Sequence, residues 1–112
     1  MQRYGSRLPS RLLVVAVAVG LSAGAARALS EQRQAELIYL VRQDCGSCHG
    51  MTLKGGLGSA LLPESLQSLD AEAMAWIILE GKSGTPMPAW KGLLTREEAL
   101  WISRQLKEGF PP

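Results

Sequence analysis

The sequence predicts an all-α domain of about three helices, with loops wrapped around a single held centre. Three observations carry this. Apolar residues recur at helical spacing in three stretches, and none shows the period-two alternation of a strand. Glycine and proline collect between those stretches, around 46–63 and 84–88. Both cysteines and the single histidine stand together as Cys45-Gly46-Ser47-Cys48-His49.

The chain of 112 residues leaves room for one small domain, and its first stretch is not expected to belong to it. Arg3, Arg7 and Arg11 form a basic start, followed by the uncharged apolar run from Leu12 to Val19. Ala26-Arg27-Ala28 then places small residues at the two positions a signal peptidase reads. Only 15 residues separate Arg11 from Arg27, short of the roughly 20 that a spanning helix needs. The expectation is therefore a signal peptide over residues 1–28, cleaved after Ala28, and a domain over residues 29–112 in the periplasm. No membrane insertion is expected after cleavage. A retained anchor is the alternative.

Removing the leader reverses the charge. The precursor carries +2, but residues 29–112 hold eight basic and ten acidic side chains, a net charge of −2. The basic excess belongs to the leader, so no nucleic-acid partner is implied. A domain of 84 residues buries little apolar surface and usually needs a disulfide, a metal or a cofactor as a staple.

The first helix is expected to start at Ser30, a good N-cap, and to run through Glu31 to about Asp44, with Leu37, Ile38, Leu40 and Val41 as its apolar face. A glycine-rich loop from Gly46 to about Pro63 comes next, and a short helical turn is possible over Glu64 to Leu69. The middle helix is expected from Asp70 as N-cap to Glu80, stopped by Gly81, with Met74, Ile77 and Ile78 at helical spacing. Pro86 and Pro88 keep the next segment irregular, because each lacks an N–H and fixes its backbone. The last helix opens on a capping box, Thr95 with Glu98, and closes at Gly109 and Pro111; Ala99, Ile102 and Leu106 share one face. Trp76 and Trp101 are expected in the core. Trp90 is expected near the centre, packed on a flat ligand or donating its indole N–H to it.

Cys45-x-x-Cys48-His49 is the signature of covalent haem attachment. Two thiols three positions apart can add to two vinyl groups of one porphyrin, and the adjacent histidine is then held where its imidazole reaches the iron. A thioredoxin-like pair would want a βαβ context, which is missing. A zinc site would need an acidic fourth ligand, since there is one histidine. A Cys45–Cys48 disulfide would close a short loop and leave the domain without a core.

For the sixth iron ligand there are three methionines beyond the leader. Met51 comes too soon after His49 to reach the other face of a ring, and Met74 sits on an apolar helical stripe where core packing suffices. Met87, stiffened between Pro86 and Pro88, is the expected ligand. An open or water-bound position is the rival.

Cys45 to Gly50, the Gly-Leu-Gly run at 56–58, Thr85-Pro86-Met87-Pro88 and the closing helix resemble a class I monohaem cytochrome c. The stretch from Asp44 to Gly58, and Gly84 to Trp90, resemble more narrowly the NirC-type small cytochrome c encoded with the haem c/haem d nitrite reductase of denitrifiers. The resemblance implies one haem c, covalent through Cys45 and Cys48 and ligated by His49 and Met87. It implies crossing first and last helices and a methionine loop closing over the haem. Class I cytochromes usually carry Gly-Pro-x-Leu after the haem motif, with the proline carbonyl accepting the imidazole proton. Here the residues are Gly58-Ser59-Ala60-Leu61, so the carbonyl of Ser59 is expected to take that place.

The function expected is one-electron transfer in the periplasm by a monomer, without enzyme activity of its own. His/Met ligation leaves no open position on the iron and raises its potential relative to bis-histidine ligation. The resemblance implies nitrite reductase as partner in denitrification, with an upstream electron donor. The alternatives are an electron partner in haem d maturation of that reductase, or a haem-based ligand sensor if Met87 does not bind iron. Lys54, Lys82 and Lys91 fall in loops expected around the haem edge, whereas most acids lie on helices. One reading is a basic ring that steers association; the other is solvated lysines of little effect.

Overall fold

Ser30 opens the first helix, its hydroxyl accepting the Arg33 N–H at 3.2 Å, and α1 runs over Glu31–Leu40. The computed structural model describes Gly5 and residues 28–112, so the expected leader lies almost wholly outside the described residues. At Val41–Cys45 the helix widens into a π turn, in which the Gly46 N–H reaches five residues back to the Val41 carbonyl. It then continues as α2, Gly46–His49, and ends at Gly50. This corrects the expected end near Asp44 and the expected loop at Gly46. The wide turn accommodates one extra residue without breaking the hydrogen-bond ladder, and Gly46 keeps right-handed helical dihedrals. The Cys-x-x-Cys-His segment is therefore helical.

A single 3-10 turn, Pro63–Ser65, occupies part of the short helical region expected after the loop. The ammonium of Lys107 holds the residues after this turn, donating to the carbonyls of Leu66 and Leu69. Helix α3 spans Ala71–Glu80, capped by Asp70, which accepts the Ala73 N–H at 2.7 Å. Helix α4 spans Arg96–Glu108 behind the complete Thr95/Glu98 capping box. These boundaries agree with the sequence reading, and no strand occurs among the described residues. No helix among them is long and apolar enough to cross a membrane.

One core cluster joins the elements: Leu37, Val41, Leu53, Leu66, Met74, Leu94, Ile102 and Leu106. Trp101 packs against it, as expected. Trp76 does not, and is 65% exposed. Met74 faces inward, and two residues on an α-helix turn the chain by about 200°, which carries Trp76 to the outside.

Helices α1 and α4 are pinned by an ion pair. Arg33 Nε donates to Glu98 Oε1 at 2.6 Å, and Glu98 Oε2 accepts the Thr95 N–H at 2.8 Å. The Glu98 side chain is only 10% exposed, and the Arg33 guanidinium holds its carboxyl below the usual carboxylate range. A depressed folded-state pKa stabilises above the unfolded carboxylate pKa, about 4.3, and the contribution is lost as pH falls below that value towards the folded one. Arg33→Ala is expected to remove about 1 kcal/mol at neutral pH, the upper end for an ion pair with one partner open to solvent. It should also flatten the acid limb below about pH 4.3. Urea unfolding of wild type and variant between neutral and acid pH checks both expectations.

Candidate functional site

A cavity of about 590 Å³ opens among α2, α3, α4 and the two glycine- and proline-rich loops. Its walls are mostly apolar, with Leu66 and Leu69 from the segment after the 3-10 turn, Met74, Ile77 and Ile78 from α3, and Ile102 and Leu106 from α4. Cys45, Cys48, His49 and Met87, the four residues singled out in the sequence, all line it. Met51 does not line it and is 56% exposed, so among the described residues only Met74 and Met87 bring a thioether to the cavity. Trp90 lines the cavity half-buried, in keeping with either expected role.

His49 is the last residue of α2, and the loop after it is folded back onto the helix end. Gly58 N–H donates to the Cys48 carbonyl at 2.7 Å, and Gly55 N–H to the His49 carbonyl at 2.8 Å, satisfying carbonyls that a helix end leaves free. His49 Nδ1 lies 2.7 Å from the Ser59 carbonyl, the acceptor expected in place of the missing proline. A carbonyl can only accept, so Nδ1 carries the proton and Nε2 keeps its lone pair for a metal. A Cβ at Gly58 would stand 2.8 Å from the imidazole, so this loop lies against the ring only as glycine.

Burial pushes the Cys45 thiol up to about 11, and the neighbouring Asp44 carboxylate adds to this. Catalytic dithiols need the opposite shift, so the arrangement does not support a thiol-redox pair. Cys45 and Cys48 are not joined in a disulfide. No cluster of three or more His, Cys, Asp or Glu side chains gathers among the described residues, which leaves the zinc reading without a ligand set.

Asp44 and Lys82 are the charged residues at the cavity. Lys91 is paired instead with Glu80 at 2.9 Å, and Lys54 is exposed away from the lining. The expected basic ring reduces to Lys82. Sequence reasoning passed over the grip of Lys107 on the cavity wall and the close contact made by Gly81. A single lysine in a helical pattern gives no signal of its acceptors, and Gly81 reads simply as a helix stop.

An all-helical domain with two thiols, an oriented imidazole and a thioether on one apolar cavity defines a small c-type cytochrome. The family profile described as cytochrome C oxidase, cbb3-type, subunit III matches residues 32–104. Cytochrome c55X of Pseudomonas aeruginosa is 50% identical over 78 residues, which cover 70% of this chain and 66% of the relative, just under two thirds of its length. Cytochrome c55X of Paracoccus denitrificans is 50% identical over 74 residues, 66% of this chain and 72% of the relative. Among solved structures, the c-type cytochrome NirC superposes with a TM-score of 0.71 at 48% identity, covering 73% of this chain and 96% of that one. Dihydro-heme d1 dehydrogenase NirN gives 0.60 at 36% identity, over 66% of this chain but 16% of that one. The chain belongs to this cytochrome c family, with the NirC-type small cytochromes c55X as its relatives. A c-type cytochrome holds its haem c covalently.

The residues present fit that group. A volume of about 590 Å³ lies within the roughly 300–1,000 Å³ of cofactor pockets, and its apolar walls suit a macrocycle. Both thiols and the free Nε2 of His49 come from one short helical segment.

Proposed function

We propose that the chain is a periplasmic one-electron carrier serving haem c/haem d nitrite reductase. It acts as a monomer after cleavage at Ala28. Cys45 and Cys48 hold the haem by thioether bonds, and His49 Nε2 and Met87 Sδ hold its iron. The observation that carries this reading is the convergence of all four side chains on one cavity. When bound, the haem supplies the one-electron iron couple. The protein's part is to keep water out with Leu66, Ile78, Ile102 and Leu106, and to fix the imidazole through Ser59. With two protein ligands the metal offers no position for substrate.

Stopped-flow electron transfer to purified nitrite reductase across a salt series tests the partner. Rapid second-order reduction or oxidation is expected, and Lys82→Glu should slow it by up to about tenfold at low ionic strength, the low end of steering effects. Lys91→Glu should do less, because Glu80 already offsets that charge. A rate indifferent to salt and to Lys82 would leave docking to apolar contact, for which Leu57, 95% exposed beside the cavity, is placed.

The likeness to dihydro-heme d1 dehydrogenase favours a second reading, in which the chain is an electron partner in haem d maturation. Haem d content and nitrite reduction in a strain lacking the protein separate the two. Loss of haem d supports maturation, and normal haem d with slow reduction supports electron supply.

A further inference from the structure

The loop carrying Met87 is seated on the end of α3, and a glycine makes the contact. Gly81 is buried, with φ +74°. A Cβ there would stand 2.8 Å from the Met87 carbonyl oxygen, 2.9 Å from Ala89 N and 2.9 Å from the Pro88 carbonyl carbon. All three atoms are backbone, so no side-chain rotation relieves the clash. Ordinary contacts of a Cβ begin at 3.4 Å, so any side chain would push the loop back by several tenths of an ångström.

The same loop is tied within itself. Lys82 N–H donates to the Met87 carbonyl at 3.3 Å. Thr85 Oγ1 donates to the Lys82 carbonyl at 2.7 Å and accepts the Met87 N–H at 3.3 Å. Past Met87, the N–H groups of Trp90 and Lys91 donate to the Ile78 and Leu79 carbonyls at 3.1 and 3.2 Å. Both main-chain polar groups of Met87 are therefore held, and the stretch of chain leaving it is anchored to the last turn of α3.

We propose that Gly81 and Thr85 are positioning residues for Met87. Gly81 leaves the space in which the Met87 backbone sits, and Thr85 clamps the turn that leads into it. Together they fix how far the thioether enters the cavity. This rests on Met87 as the iron ligand. Metal–ligand distances are held within about 0.2 Å, so a retreat of several tenths of an ångström weakens the iron–thioether bond and opens the iron to competing ligands. The two residues thereby decide whether the protein is a closed electron carrier or accepts small ligands.

The test uses the haem-loaded full chain and reads the red-edge iron–thioether absorption, the reduction potential and imidazole binding. Gly81→Ala should lose the absorption, lower the potential and bind imidazole about tenfold more tightly, as expected if the open fraction rises tenfold. Gly84→Ala is the control, because Gly84 has φ +77° in the same loop but nothing within 4 Å of its would-be Cβ. It shares the positive φ without the contact and should keep the wild-type spectrum. Thr85→Ala should weaken the absorption, and Thr85→Ser, which keeps the hydroxyl, should restore it. If Gly81→Ala does not accumulate, the Thr85 pair decides alone. The proposal is overturned if Gly81→Ala matches wild type or Gly84→Ala, or if Thr85→Ala and Thr85→Ser behave alike. Met87→Ala runs alongside, and if it keeps the absorption, the ligand assignment itself has failed.

Discussion

Changing both Cys45 and Cys48 to alanine should abolish haem that survives denaturation and leave the chain largely unfolded. The size of the effect comes from the cavity. Without haem, the apolar walls of this open space of about 590 Å³ would face water and not a macrocycle. A small domain has only about 5–15 kcal/mol of stability in total, so exposing that much apolar wall weighs heavily. Leu66, Met74, Ile102 and Leu106 belong to the one core cluster and also line the cavity, so the core and the cofactor site cannot be lost separately. Denaturing mass spectrometry reads the retained haem and circular dichroism the helix content. A double variant that is folded and haem-free would remove the cofactor as the staple of this domain.

Much of this was legible in the sequence because the signals are local. Ser30, Asp70 and Thr95 with Glu98 mark helix starts by side-chain chemistry acting within three residues, and all three caps form. The Cys-x-x-Cys-His segment is equally local, and so is the acceptor at Ser59, since a backbone carbonyl is present whatever the side chain. The features that were not legible depend on register or on distance. The π turn at Val41–Cys45 shifts the helix by one residue, and no residue type encodes that choice, so Gly46 read as a loop. Trp76 read as core because apolar residues surround it in sequence, whereas the cavity orders α3 around Met74, Ile77 and Ile78. Lys91 belongs to Glu80 across a chain reversal, which spacing alone does not reveal.

Met87→Ala should remove the iron–thioether absorption of the oxidised protein, lower its reduction potential and admit imidazole or nitric oxide to the iron. The thioether favours the reduced state, so its loss should exceed about 59 mV, the shift for a tenfold change in a one-electron equilibrium. Met74 is the discriminating control, because both thioethers border the cavity. Met74 is 5% exposed and belongs to the core cluster, so Met74→Ala should cost about 2–5 kcal/mol of stability yet keep the absorption. Met87 is half-buried in a loop outside that cluster, so its loss should open the iron with little effect on unfolding. The two variants are thus expected to split stability from ligation. If Met74→Ala removes the absorption and Met87→Ala leaves it, the iron is bound by the helix and not by the loop. The Pro86-Met87-Pro88 segment would then be a wall of the cavity only. If the wild-type protein lacks the absorption altogether, the sixth position is not a thioether, and the ligand-sensing alternative gains the ground that electron transfer loses.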